Sequence, residues 1–266
     1  MKTNEQIIRD FDSFLQNLDI PKACELNKPI YKKMFLDNGV LDATDKKCLK
    51  DDVDKIRWLY TLKPSTINIA PHNDNEREYP EVAILHVELS RPDHFKRVAH
   101  FINRSIPYPL VLLFTCEIEG EANLVISLAD KRINQADKEK WVIEDSIHSS
   151  WINLGKQSEI ESRFLNSLAI NNLSFKDFFN FYKTLTDRVI AINCASHSGE
   201  FSLGNDSSEG ENKDRLTMLR DIEKLDAKKL EIANKLKKEK QMGRQVELNT
   251  QVKKINDKIA EIKSSL

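Results

Sequence analysis

Glu81, His86 and Glu88 come nearest to a reactive set in this 266-residue chain. They sit on a β-type run, 81–89, where His86 and Glu88 share a face because side chains alternate along a strand, and Asp74, Glu76 and Glu78 precede them. Carboxylates at a strand edge hold Mg²⁺ for phosphodiester cleavage in nucleases that combine an acid with an E-x-K pair on an adjacent strand. The corresponding triplet reads Glu88-Leu89-Ser90, so the lysine that helps to activate water is missing from it. A solvated or hydrogen-bonded strand face is the competing reading of the same residues.

Other catalytic signatures are not found. There is no G-x-x-x-x-G-K-[ST] loop, no G-x-G-x-x-G, no G-x-S-x-G and no H-E-x-x-H, and the seven glycines are too scattered to cradle a phosphate. These gaps argue against nucleotide hydrolysis and serine-hydrolase chemistry. The six histidines do not pair at ligand spacing, since His94 and His100 diverge around a helix. No catalytic residue, metal ligand or cofactor is assigned on this basis, and the chain is expected not to be an enzyme.

Lysines and arginines cluster at Lys46-Lys47-Lys50, at Lys96-Arg97 with Arg104, and at Lys131-Arg132. If Lys96, Arg97, Lys131 and Arg132 converge at one end of a sheet they can meet phosphates, with Tyr108 stacking on a base. A solvated charged face is the alternative. Overall charge does not decide the matter, because 41 Lys and Arg nearly cancel 42 Asp and Glu.

Cys24, Cys48, Cys116 and Cys194 are far apart and form no C-x-x-C pair, as expected of reduced, buried thiols in the cytoplasm. The start, Met1 to Glu5, lacks an apolar segment behind its charge, and the longest apolar run, 110–114, is far too short to span a bilayer. The chain is expected to be neither secreted nor membrane-spanning.

Several elements must hold these groups in place. Thr3-Asn4-Glu5-Gln6 has capping-box form, and Ile7, Ile8, Phe11, Phe14, Leu15 and Leu18 keep helical spacing up to Pro21. A short helix from Pro29 is predicted to end near Asn38-Gly39, and a third to run from Thr44 to Tyr60 with Leu49, Val53, Ile56 and Tyr60 on one stripe. Strands are predicted at 66–69 and 81–89 around an exposed loop, 71–80, then a helix behind Ser90-Arg91-Pro92-Asp93 and ended by Pro107. The runs 110–116 and 122–129 read as a hairpin joined at Glu117-Ile118-Glu119-Gly120-Glu121, with 141–147 as a further strand. All eight prolines lie at or before Pro109, so helices are the default beyond it, at 158–170 and at 174–194. The fold class predicted is α+β, a small mixed sheet of four or five strands with helices packed on it, followed by an antiparallel helical hairpin.

The tail carries the clearest periodicity. Leu248, Val252, Ile255, Ile259, Ile262 and Leu266 step by four and three, the a/d spacing of a coiled coil. Met218, Ile222, Leu225, Ile232 and Leu236 do the same upstream, but the two registers are out of phase across Gln241-Met242-Gly243-Arg244, which favours two arms folded back on each other. Two such arms bury little alone, so the seam formed by Leu225, Ile232, Leu236, Leu248, Val252, Ile255, Ile259 and Ile262 is expected to take up a partner, a second copy, or the core of the body. The predicted organisation is a body, 1–195, a flexible linker rich in Gly, Ser and acid, 196–214, and the hairpin, 215–266; an ordered surface loop is the alternative for 196–214.

At Leu26-Asn27-Lys28-Pro29-Ile30, Ala43-Thr44-Asp45-Lys46-Lys47, Trp58-Leu59-Tyr60-Thr61-Leu62-Lys63-Pro64, Glu76-Arg77-Glu78-Tyr79, Arg104-Ser105-Ile106-Pro107-Tyr108-Pro109 and Lys131-Arg132-Ile133-Asn134-Gln135 the chain resembles a prokaryotic family, the domain of unknown function numbered 4391. Lys238-Glu239-Lys240-Gln241 and Arg244-Gln245-Val246-Glu247-Leu248-Asn249 look like that family's C-terminal signature, although Met242-Gly243 stands where an aromatic residue and Asn are usual. Members are often encoded beside DNA methyltransferases and superfamily-2 helicases in restriction or anti-phage operons. The resemblance therefore implies an accessory subunit with a helicase or methyltransferase as its partner, and it carries no catalytic residues. The leading expectation is a non-enzymatic adaptor gripping that partner through its tail. Nucleic-acid binding by the basic sheet end and a divergent Mg²⁺ nuclease are the alternatives.

Overall fold

The computed structural model of the chain describes residues 4–37, 41–137, 141–204 and 209–266. The capping residue Thr3 and the predicted helix end at Asn38-Gly39 lie outside them. Nine helices and nine strands are described: α1 Asn4–Asn17, β1 Glu25–Pro29, α2 Lys32–Asp37, α3 Ala43–Asp51, β2 Val53–Leu62, α4 Pro64–Ile67, β3 His72–Asn73, β4 Glu78–Tyr79, β5 Val82–Leu89, α5 Phe95–Ser105, β6 Leu110–Ile118, β7 Glu121–Ile133, β8 Trp141–His148, β9 Ile152–Asn153, α6 Glu159–Ser167, α7 Phe178–Ser198, α8 Glu209–Leu236 and α9 Met242–Lys263. The chain divides into two compact units, Met1–Val189 and Ile190–Leu266.

The first unit is α+β, built on one mixed sheet of order β1-β2-β5-β6-β7-β8, with β9 added to β7. Among the described residues only β5 and β6 pair in parallel, and α5 provides the crossover such a pair requires. At the β6–β7 turn, Glu119 and Gly120 both adopt positive φ, 55° and 78°, the backbone that closes a two-residue hairpin without splaying its strands. The sheet has more strands than predicted because β1 and β2 come from sequence that reads as helix.

The stripe Leu49, Val53, Ile56, Tyr60 is not one helix: α3 stops at Asp51 and 53–62 is the long strand β2. Its buried residues, Val53, Ile56, Leu59 and Leu62, recur every third position, and the pairing with β5 shifts register between Val53 and Lys55 and again between Trp58 and Tyr60. Each shift moves the strand by a residue, so a bulged strand mimics helical spacing. The opposite error occurs at 66–69. Pro64 opens a four-residue helix, Thr66 Oγ1 accepts the amide of Lys63 at 3.0 Å, and Asn68 ends it in the left-handed region.

Residues 71–80 were expected to be an exposed loop. They form instead the β3–β4 hairpin, where the Asp74 carboxylate accepts the amides of Glu76 and Arg77, both at 2.7 Å, and is held down to about 2 by those bonds. Arg77 then grips Asp130 through two bonds of 3.2 and 2.7 Å, and Tyr79 is buried with its hydroxyl 3.1 Å from Asp130.

Helices cover both faces of the sheet. On one, Leu49 of α3 and Val98, Phe101 and Ile102 of α5 pack on Leu85, Val87, Leu112 and Phe114. On the other, Phe14 of α1 and Phe181 and Leu185 of α7 surround Ile84, Val111, Leu113 and Ile126. Tyr182 anchors α7 by accepting the amide of Ala129 at 2.8 Å and donating to the carbonyl of Leu110 at 2.7 Å.

The second unit holds the end of α7 and the hairpin of α8 and α9. Phe201 is buried, and the Arg215 guanidinium donates to the Ser202 carbonyl and hydroxyl, at 3.2 and 3.0 Å. The division between units falls inside α7, upstream of 196–214. Ile222, Ile232, Ile255 and Ile259 form the hairpin's core, with Leu225, Leu248, Val252, Ile262 and Leu266 packed around them.

Candidate functional site: an open cleft and a basic helical tip

In the first unit, strand alternation puts Leu85 and Val87 under α5 and leaves Ile84, His86 and Glu88 on the opposite face. Phe11 of α1 stacks on the His86 ring at 4.1 Å. Beside it opens a cleft of about 1010 Å³. Six carboxylates line it, Asp12, Asp19, Glu25, Asp54, Glu88 and Glu117, against two basic side chains, Lys55 and Arg57. Both basic residues have partners: Lys55 lies 3.1 Å from Glu88, and Arg57 donates to Asn27 at 2.6 Å.

His86 does not serve this cleft as a base. Its Nε2 bonds to Thr115 Oγ1 at 2.7 Å, and burial, helped by Arg57 and Lys55, pushes the imidazole down to about 3. Glu81 stands just ahead of β5, 3.7 Å from Lys63, and is separated from Glu88 by about 20 Å of extended chain. Glu81 is therefore set apart from His86 and Glu88, which share a face beside the cleft. Lys55, by contrast, supplies across the strands the lysine missing from Glu88-Leu89-Ser90, because the pairing sets Lys55 opposite Glu88.

The basic set does not converge as expected. Lys131 points inward, 1% exposed, donating to the carbonyls of Ile106 and Tyr108, both at 2.7 Å, and burial draws its ammonium down to about 7. A register shift between Asp130 and Lys131 accompanies this inward turn. Arg97 is held by Asp42 and Asp45 at 2.7 Å each, tying α5 to the start of α3. The Nε of Arg132 lies 3.8 Å from Glu144. Lys96, Arg104 and Tyr108 are exposed, Tyr108 with its ring edge against Trp58.

In the second unit, the side chains expected to hold a partner hold the hairpin itself. Ile232, Ile255 and Ile259 are buried in its core and Leu225, Leu248, Val252 and Ile262 pack against them, while Leu236 is half-buried. The heptad spacing is thus satisfied within the pair. Chain reversal occurs over 237–241 and meets the predicted break, Gln241-Met242-Gly243-Arg244, at Gln241, while Met242, Gly243 and Arg244 form the first turn of α9. It pivots on Glu239, whose carboxylate accepts the amides of Lys240 and Gln241 at 2.9 and 2.8 Å, while Gln245 donates to its carbonyl at 2.7 Å.

Beside that turn Leu230, Met242 and Val246 are 63%, 80% and 61% exposed. Seven lysines and arginines fall between 228 and 244, against Glu231 and Glu239. Lys235 pairs with Glu231 at 2.6 Å and Arg244 with Glu239 at 3.9 Å, so the stretch 228–244, which carries Leu230 and Met242, keeps a net positive charge. Heptad counting passes over these three residues because they fall off the a and d positions.

The model of the family described as Domain of unknown function (DUF4391) matches residues 18–259. No curated protein and no solved structure matches the chain. Since the match spans the whole sheet, every helix of the first unit after α1 and most of the hairpin, the chain belongs to the DUF4391 family.

Proposed function

We propose that the chain is a non-enzymatic accessory subunit of a prokaryotic restriction or anti-phage assembly, and that the hairpin tip docks onto a helicase or methyltransferase subunit. The observation that carries this reading is the exposure of Leu230, Met242 and Val246 on or beside a basic stretch, on a hairpin whose own core is already filled. Such a surface suits a partner face with an apolar centre and an acidic rim. The family resemblance supports the choice of partner. The test is co-expression of the tagged full chain with a helicase and a methyltransferase of the proposed assembly. Recovery of either one by the parent and its loss in Leu230→Glu with Val246→Glu is the expected result; equal recovery by parent and variant refutes the docking site.

The Lys55–Glu88 pair favours a second reading, Mg²⁺-dependent phosphodiester cleavage in the cleft. Glu88, one of the carboxylates that line the cleft, would contribute to binding the ion there and Lys55 beside it would help to orient a water. Metal-dependent cleavage of DNA or RNA by the purified chain, lost in Glu88→Gln, is the result that would support it.

A further inference from the structure

We infer that Cys48, Asp52 and His94 form a binding site for a zinc ion. One ligand atom from each of these residues lies within 4.8 Å of the others, and among the described residues this is the gathering of metal-binding side chains that meets this spacing. Cys48 and Asp52 are four apart at the end of α3, so they project from one face a turn apart. His94 enters from the start of α5, its Nδ1 2.8 Å from an Asp52 oxygen.

The scaffold is fixed independently of any ion. Arg97 joins α5 to the capping box of Asp42 and Asp45 on α3, Ser90 donates its amide to the Asp52 carbonyl at 3.0 Å, and Leu49 is fully buried beside Cys48. Ligands held by rigid, packed elements are what a metal site needs. Cys48 and Asp52 are each 4% exposed while His94 faces solvent, which leaves the outer coordination position open to water.

The donor set decides the ion. A thiolate with an imidazole and one carboxylate suits Zn²⁺, whereas Mg²⁺ and Ca²⁺ prefer oxygen alone. The buried Cys48 sulfur lies within 4.8 Å of an Asp52 carboxylate oxygen, and a cation seated between them would bind both. Arg91 now supplies part of that positive charge, 3.1 Å from Asp52, but its side chain is 60% exposed and free to swing outward. On binding, the Cys48 proton passes to solvent, the His94–Asp52 hydrogen bond gives way to two metal bonds, and Arg91 is displaced.

The test uses the full chain purified without chelator. Metal analysis is expected to find about one zinc per chain, and replacement by Co²⁺ to produce a thiolate-to-cobalt charge-transfer band. Cys48→Ser should abolish the band. His94→Ala, a change at an exposed position, should weaken Co²⁺ binding at least tenfold while the chain stays folded, which covers the case in which the cysteine variant does not fold. Added zinc should raise the thermal midpoint of the parent and not of His94→Ala. No retained zinc together with no cobalt band would overturn the site, as would a band that survives Cys48→Ser or an unchanged affinity in His94→Ala.

Discussion

Lys55 of β2 reaches across to Glu88 of β5, with its ammonium 3.1 Å from the carboxylate. The two residues are 33 positions apart, and the antiparallel register that unites them depends on the bulges in β2. Both side chains are substantially exposed, so the pair contributes less than about 1 kcal/mol to stability. Its importance is positional, because it sets a lysine beside the one carboxylate that continues the His86 face into the open cleft.

Glu88→Gln is therefore expected to shift the urea midpoint little and to leave recovery of the protein partner unchanged. Parallel cleavage assays with Mg²⁺ separate the two functional readings: loss of an activity present in the parent assigns the cleft to chemistry, and inactivity in both keeps the accessory reading.

Acid should destabilise the fold through two histidines, His86, which is buried, and His148, which is half-buried. An unfolded imidazole titrates near 6.5, while His86 stays neutral down to about 3 and the partly desolvated His148, near Lys96, down to about 4. Between these limits the unfolded chain holds the extra protons. Stability is then full above pH 6.5 and is lost as pH falls, by up to about 1.4 kcal/mol per unit for each histidine. His86→Gln, which keeps a partner for Thr115, should make the fall in urea midpoint from pH 6.5 to 4.5 shallower.

Lys131 and Lys96 should behave differently. Lys131→Met leaves the Ile106 and Tyr108 carbonyls without their donor and is expected to cost about 1–3 kcal/mol, whereas Lys96→Ala at the surface should stay within about 0.5 kcal/mol. A phosphate-binding Lys131 would show the reverse, lost nucleic-acid affinity at unchanged stability.

At the hairpin turn, Glu239→Ala removes the acceptor for two amides and should cost about 1 kcal/mol, seen as faster proteolysis between 236 and 242. Gly243→Ala should instead stabilise α9 by about 0.5–1 kcal/mol, since an added Cβ meets nothing within 4 Å.

The periodicity of α8 and α9 was legible because nothing but their own 3.6-residue spacing sets which side chains meet. The same counting led to helix at 53–60, where bulges space Val53, Ile56 and Leu59 three apart along a strand. Position in a sheet was less legible still. Lys131 reads as a surface charge until a register shift turns it inward, and Lys55 has no link to Glu88 until the pairing of β2 is known. Cys48 and Asp52 are visible as a four-residue step on a helix, but His94 joins them only through the packing of α3 and α5. Pattern reports what lies within one element, and each candidate site here depends on two.

Site-specific photo-crosslinking tests the central claim most directly. A photoreactive residue placed at Val246, on the exposed face of α9, is compared in the full chain with one placed at Glu117 in the cleft, in cells that also express a helicase and a methyltransferase of the proposed assembly. The account expects a covalent adduct with one of those two proteins from position 246 and none from 117. An adduct from 117 alone, or none from 246, would contradict it.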